Sequence, residues 1–368
     1  MTIVHVMASF IGGGAERFVV SLCNQLSKNE DLDVHIISLY DIKPNMFLHK
    51  EVNSNVTIHT LSKKVGLDTS IFFKLNTCIK TIKPNRVNTH LTAFNYNYLN
   101  ILLYRKAKYY HTLHSDALLE CPSAKNRSLR KLFYKKRVQA ITISELSSQS
   151  YRTHYGLNND CIIYNGREDL KATKAFNAVK HEVESYKLTP ETKVILNIAN
   201  LVPAKGHINL VKAFKALTDA GCDILLILIG DRRPGDDEIF NCIKDNLSPR
   251  LKFLGVKQNI EDYLLVSDAF CLSSNIEGMP ITLIEAMSAA CLPLATPVGG
   301  IPNMITDTEN GLLAKDASQN ALTALIKRYL ALDGPKIKSI KQQLKNDYKQ
   351  NFSIQKSTNG YLKLYSKA

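Results

Sequence analysis

The apolar positions of this chain fall into short runs separated by amphipathic stretches, and the pattern repeats in two cycles. Residues 3–8 are apolar, Gly12-Gly13-Gly14 follows, and Phe18, Val19, Leu22, Cys23 and Leu26 then recur at helical spacing, which predicts strand, glycine turn and helix. Further strands are expected at 34–39 and near 56–61, 87–89, 109–113 and 140–143, with helical patterns between them. From 169 to 192 the chain turns polar and contains Thr189-Pro190, which reads as a linker. The cycle then restarts with a strand at 194–198, a Lys205-Gly206 loop and a helix carrying Leu210, Val211, Phe214 and Leu217. Strands at 224–229, 251–254, 269–272 and 292–295 complete it. Such alternation predicts an α/β chain of two Rossmann-like, doubly wound domains, facing each other across a cleft at their strand ends, where these sheets bind ligands.

The 368 residues suffice for two domains, and 45% hydrophobic with 22% charged content is ordinary for a globular chain. Apolar runs such as 224–229 are strand length, far below the roughly 20 residues that cross a bilayer. The N-terminus lacks the charged, apolar and cleavage regions of a signal peptide, so a cytoplasmic location is expected. Eight cysteines without a C-x-x-C suggest neither a disulfide framework nor a zinc site. The net charge of +14 suits nucleic acid, anionic lipid or phosphorylated substrates alike. It is concentrated between residues 103 and 137, where ten Lys/Arg face only Asp116 and Glu120. No nucleic-acid motif accompanies the charge, so nucleic acid is not the expected partner. Within 125–137, Leu129, Leu132 and Phe133 share a helical face among cations, as in helices that lie on anionic membranes; a solvated face is the alternative.

The richest chemistry lies in the string from Asn275 to Met287, directly after the expected strand at 269–272. Pro280 suits the first turn of a helix, which leaves Glu277 in the loop ahead of it and Glu285 inside the helix. The unpaired N–H groups of that helix start form an anion site suited to a diphosphate. A carboxylate on each side can accept hydrogen bonds from sugar hydroxyls, Glu277 from a transferred sugar and Glu285 from a ribose. The plain alternative makes Glu277 a helix cap and Glu285 a solvated acid. Metal-binding pairs are weak: Asp31-Leu32-Asp33 stands ahead of the second strand, at the wrong end of a sheet for a ligand, and Asp236-Asp237 reads as solvated.

Glu277-to-Glu285 is similar to the E-x7-E signature of retaining glycosyltransferases with the GT-B fold, glycosyltransferase family 4, of the polysaccharide-building kind. The resemblance extends through Gly12-Gly13-Gly14-Ala15-Glu16-Arg17, His114-Ser115-Asp116, Ile143-Ser144-Glu145, Tyr164-Asn165-Gly166, Lys205-Gly206, Phe253-Leu254-Gly255, Ser267-Asp268 and Thr296-Pro297-Val298-Gly299-Gly300. It implies a nucleotide-sugar donor, a UDP-sugar, held mainly by a second domain over 192–350. An acceptor is held mainly by a first domain over 1–169, with a linker at 170–191 and a C-terminal helix in 351–368 packing back on the first domain. Neither a metal nor another cofactor is implied.

Carried over residue by residue, the likeness gives Lys205 the leaving diphosphate, His114 and Glu277 the transferred sugar, and Glu16 the acceptor. It assigns donor contacts to Gly13, Gly14, Asn200 and Val256, and to the run Gly278, Met279, Pro280, Thr282, Leu283 and Glu285. Two positions depart from the family: Asn200 stands where an Arg is usual, for which Arg167, Arg232 or Arg233 are substitutes, and Ala290 where Gly is common. The implied reaction is retaining, same-face transfer of a hexose or N-acetylhexosamine to a lipid-linked saccharide in cell-surface polysaccharide synthesis. Its implied place is the inner face of the plasma membrane. A nucleotide-sugar epimerase of the same fold and a non-catalytic sugar-nucleotide or lipid-binding protein are the rival readings.

Overall fold

The computed structural model describes residues 1–11, 13–44, 46–232 and 237–367. The chain divides into two compact units, one formed by Met1–Gly166 with Ile354–Ala368 and the other by Arg167–Ser353. Among the described residues of the first, seven parallel strands form one sheet in the order β3-β2-β1-β4-β5-β6-β7. They are β1 (Thr2–Met7), β2 (Asp33–Ser38), β3 (Val56–Thr60), β4 (Arg86–His90), β5 (Lys108–Leu113), β6 (Val138–Thr142) and β7 (Cys161–Ile162). The order reverses between β1 and β4, so the carboxyl ends of these strands and of neighbouring β5 flank the crevice where doubly wound sheets take ligands.

Helix Gly14–Leu26 follows β1 and buries Phe18, Val19, Leu22, Cys23 and Leu26, the face its spacing predicts. The last helix, Ile354–Ser366, also belongs to this unit. Its Tyr361 hydroxyl lies 3.1 Å from the Thr112 hydroxyl of β5, and Asn88 of β4 donates to the Tyr365 hydroxyl at 3.1 Å. β7 escaped the sequence reading because two residues carry no periodicity.

In the second unit the described strands run in the order β10-β9-β8-β11-β12-β13, all parallel. They are β8 (Lys193–Ile198), β9 (Ile224–Ile229), β10 (Leu251–Phe253), β11 (Ala269–Leu272), β12 (Leu292–Ala295) and β13 (Leu312–Leu313). β9, Ile-Leu-Leu-Ile-Leu-Ile, is buried at every position, as a strand covered on both faces must be. Leu210, Val211, Phe214 and Leu217 of helix His207–Asp219 share a core with Leu322, Leu325 and Ile326 of helix Gln319–Leu330. The reversal of strand order falls between β8 and β11.

Two expectations need correction. The stretch 170–191, read as a linker, contains helix Phe176–Tyr186, which buries Val179 and Val183. Within it Glu182 accepts a 2.7 Å hydrogen bond from Tyr263, and nearby Asp262 accepts from the Thr173 amide at 2.8 Å, so the stretch is integrated into the second unit. Two apolar anchors in an otherwise polar segment leave too faint a pattern to read from sequence. In helix Ala124–Lys136, Arg130 is only 1% exposed. Its guanidinium lies over the Phe94 ring at 5.2 Å and donates to Asn95 Oδ1 at 2.9 and 3.2 Å. Phe133 stacks on Tyr98 with ring centroids 5.0 Å apart. Neither residue belongs to the surface, which retains Lys125, Arg127, Lys131, Lys135, Lys136 and Arg137 beside exposed Leu129 and Leu132. Among the described residues no helix is long and apolar enough to cross a membrane.

Candidate active site

In the second unit the loops leaving β8 and β11, the two strands that flank the reversal, lock onto each other. Asn275 and Ile276 donate their backbone N–H groups to Ala204 O at 2.8 and 3.2 Å, and the Ser273 hydroxyl donates to Lys205 O at 3.0 Å. Gly206 and Gly299 have φ of +65° and +58°, and a Cβ on either would lie 2.0 Å from Ser273 O or 1.9 Å from Glu277 O. Only glycine permits that approach, so the Glu277 loop is clasped by the Lys205-Gly206 turn and by the Thr296–Gly300 loop. Gly300 N donates to Gly278 O at 2.8 Å and the Thr296 hydroxyl to Ser274 O at 2.6 Å, completing the clasp.

The clasp brings Lys205 Nζ within 2.7 Å of Glu277 Oε1, which also accepts from the Ser274 hydroxyl at 2.6 Å. Glu277 is nearly buried and Lys205 about a quarter exposed, so the ammonium is the accessible member of the pair. Helix Ile281–Ser288 begins just beyond, with Pro280 as the residue before its first turn and the Pro280 carbonyl accepting from Leu283 N at 3.1 Å. The first N–H groups of the helix, on Ile281 and Thr282, precede any intrahelical acceptor, as at helix starts that take anions. Met279, Pro280 and Leu283 are buried, so they anchor this turn in the core and offer only backbone to a ligand.

Glu285 is 1% exposed and receives Arg167 Nε at 2.9 Å on Oε1. It is a buried, paired carboxylate, not a solvated surface acid. Burial, with the neighbouring Asp262 and Glu285 charges, raises the Glu261 pKa. Of the Arg residues considered in place of the missing one at Asn200, Arg167 is thus committed to Glu285, and Arg232 pairs with Asp237 at 2.7 Å over the Phe240 ring. Arg233, like Gly12 and Asp236, lies outside the described residues. Asn200 sits half-buried on the loop after β8, and exposed Val256 follows β10.

In the first unit, Gly13 precedes helix Gly14–Leu26 in extended conformation, and the Glu16 carboxylate folds back so that a Cβ on Gly13 would lie 2.5 Å from its Oε2. An acid over the first turn is favoured by the helix dipole. His114 follows β5 directly. Its backbone N–H and that of Ser115 donate to Glu120 Oε1 at 2.7 and 3.1 Å, while Asp116 caps the short helix Ala117–Glu120. Burial lowers the His114 pKa to about 4, so the imidazole is neutral at physiological pH. The sequence reading missed the partners of this ring: His90 Nδ1 lies 2.9 Å from His114 Nε2, and His5 Nδ1 lies 3.0 Å from His90 Nε2. No motif announces them: His5 is a single histidine within the apolar strand β1, and His90 ends the polar strand β4, Arg-Val-Asn-Thr-His.

A family model described as Glycosyltransferase Family 4 matches residues 12–169, and one described as Glycosyl transferases group 1 matches residues 179–350. The chain is 25% identical over 385 residues to UDP-Gal:alpha-D-GlcNAc-diphosphoundecaprenol alpha-1,3-galactosyltransferase of Escherichia coli, covering 99% of this chain and 96% of that protein. It is 31% identical over 134 residues to N-acetyl-alpha-D-glucosaminyl L-malate synthase of Bacillus anthracis, covering 36% of this chain and 34% of that protein. Among solved structures, a glycosyltransferase from Rickettsia africae ESF-5 superposes with a TM-score of 0.83 at 21% identity, covering 99% of this chain and 97% of that one.

Proposed function

We propose, from the premise that the chain belongs to the GT-B glycosyltransferases, whose two family models match its two halves, that it is a retaining, cation-independent transferase of a UDP-hexose or UDP-N-acetylhexosamine. Its acceptor is a saccharide carried on a lipid diphosphate, in the assembly of a cell-surface polysaccharide. The lipid-diphosphate acceptor named for the Escherichia coli relative supports this choice.

The observation that carries the reading is the Lys205–Glu277 pair beside the N-terminus of helix Ile281–Ser288. Transfer from a nucleotide diphosphate leaves a second negative charge on the β-phosphate as the glycosidic bond breaks. A fixed ammonium and fixed backbone N–H groups stabilise that charge without reorganising, which is the task a divalent cation performs in other transferases. Glu277, held by Ser274, Lys205 and the glycine contacts, is placed to accept hydrogen bonds from hydroxyls of the transferred sugar. Glu285 takes the ribose while Arg167 keeps its charge compensated. The β-phosphate oxygen then accepts the acceptor's proton on the same face, so the anomeric configuration is retained.

The test is a panel of nucleotide sugars with a short-chain diphosphate-linked acceptor, in excess EDTA, with the anomeric configuration of the product read by NMR. A product with the donor's configuration formed in EDTA is the expected result. Loss of activity restored by manganese would remove the cation-independent mechanism. Inversion would remove the same-face mechanism, and conversion of the donor without an acceptor would make the protein an epimerase.

A further inference from the structure

We propose that His5, His90 and His114 form one tautomeric unit that presents Nδ1 of His114 as an N–H donor to substrate oxygens, making His90 and His5 positioning residues of the transfer reaction. This rests on the functional reading above.

The geometry follows from sheet register. His5 lies on β1 opposite Asn88 of β4, His90 is two residues further along β4 and opposite Thr112 of β5, and His114 is two residues beyond Thr112. Steps of two keep side chains on one face of a sheet, so three adjacent strands carry their imidazoles in a diagonal file. Neighbouring rings are 5.2 Å apart at both steps, and the nitrogens meet at 3.0 and 2.9 Å. His5 and His90 are buried. The two terminal nitrogens, His5 Nε2 and His114 Nδ1, are buried without a hydrogen-bond partner among the described residues.

Proton accounting leaves two arrangements. A neutral imidazole has one N–H and one lone pair, and each of the two internal contacts needs one of each. Fixing one contact therefore fixes the other, and the two ends of the file are always of opposite kind. Either His114 Nδ1 carries a proton and His5 Nε2 a lone pair, or the reverse. Burial keeps the rings neutral, with His5 lowered to about 3, His114 to about 4 and His90 well below its ordinary value. The charged groups that bear on the file are Glu120 and His111 beside His114, with Arg130 behind them, while Tyr365 borders His5 at 6.4 Å between rings.

The oxygens of a sugar diphosphate are mostly acceptors, so the arrangement that binds one has His114 Nδ1 protonated. His90 then donates from Nδ1 to His114 Nε2, and His5 donates from Nδ1 to His90 Nε2. An isolated imidazole would divide between tautomers on its own, whereas the file couples the three rings, so an acceptor at His114 Nδ1 sets the proton positions of all three.

The test is 15N NMR of histidine-labelled protein, alone and with UDP, in wild type and in His90→Phe, which keeps a ring but removes both contacts. In the wild type, the ring shifts should show His114 neutral with the proton on Nδ1. In His90→Phe the Nε2–H form should appear and turnover should fall about tenfold, as expected for one lost hydrogen bond of about 1.4 kcal/mol. His90→Gln, which retains one donor and one acceptor, serves if the Phe variant fails to fold and should restore part of the turnover. A wild-type His114 with Nδ1 unprotonated, or a folded His90→Phe with tautomer and turnover unchanged, overturns the proposal. The NMR outcome stands whether or not the protein uses the donor proposed above, so the two readings fail separately.

Discussion

Lys205 Nζ and Glu277 Oε1, 72 residues apart in the chain, lie 2.7 Å apart. On the function proposed above, a diphosphate at Lys205 would compete with this carboxylate, so the two residues should act in opposite senses on nucleotide binding. Lys205→Ala is expected to weaken UDP binding by about 1.5–3 kcal/mol, the value of a hydrogen bond to a charged group. Glu277→Gln should tighten UDP binding by releasing the ammonium and still lower turnover, because the carboxylate contacts to the sugar are gone. Titration calorimetry with UDP and initial rates would show this; equal losses of affinity in both variants would rule out the competition.

Arg167 and Glu285 form a second, more deeply buried pair, at 2.9 Å with side chains 11% and 1% exposed. Removing one partner of such a pair leaves an uncompensated buried charge, at a cost of about 3–5 kcal/mol. Arg167→Met should therefore destabilise far more than Arg167→Met with Glu285→Leu in the same chain. Denaturant unfolding measures both, and a single variant within about 1 kcal/mol of wild type would show the pair to be structurally idle.

Both pairs show what the sequence could and could not disclose. Strand, glycine turn and helix were legible because period-2 and period-3.6 patterns and the glycines at 206 and 299 are local signals. Glu277, Glu285 and Lys205 were legible as types at motif positions. The Arg167–Glu285 partnership, the burial of Arg130 and the His5–His90–His114 file were not, because each joins residues 24 to 118 positions apart through sheet register or packing. The helix Phe176–Tyr186 was hidden for a different reason: its anchors, Val179 and Val183, are too few to mark a face.

The histidine file predicts an acid-sensitive fold. His5, His90 and His114 have pKa values lowered by burial, so below about 6.5 the unfolded chain takes up protons that the folded one refuses. Stability should fall as pH drops from about 6.5 toward 4, by at most about 1.4 kcal/mol per pH unit for each ring. His111, His59 and His154 are lowered as well and add to the slope. Unfolding in denaturant at pH 7.5, 6 and 5 measures it, and His5→Phe should flatten the dependence. A stability independent of pH across this range would contradict the burial of neutral rings.

Ala290 follows helix Ile281–Ser288 by two residues with φ of +52°, a left-handed conformation that costs an L-residue about 1 kcal/mol. Glycine adopts it without strain but loses more entropy on folding, so Ala290→Gly should stabilise by only about 0.5 kcal/mol. Ala290→Val should destabilise clearly, since a β-branched side chain tolerates positive φ least. Thermal unfolding of the two variants should bracket wild type; a destabilised glycine variant would contradict the strain.

The exposed cations of helix Ala124–Lys136 are predicted to hold the protein on anionic membranes. Lys125, Arg127, Lys131, Lys135, Lys136 and Arg137 remain on its surface with Leu129 and Leu132, whereas Arg130 faces inward onto Phe94 and Asn95. Each surface cation near an anionic bilayer contributes about 1 kcal/mol, and the sum is screened by salt. Changing Lys125, Lys131, Lys135 and Lys136 to Glu should abolish sedimentation with phosphatidylglycerol vesicles at low salt, while turnover on a short-chain acceptor persists. Arg130→Ala should do the opposite, lowering unfolding stability and leaving vesicle binding of the folded protein intact. If the four-Glu variant loses turnover on the soluble acceptor too, the cations bind the acceptor's diphosphate; if wild type ignores the vesicles, the membrane role is excluded.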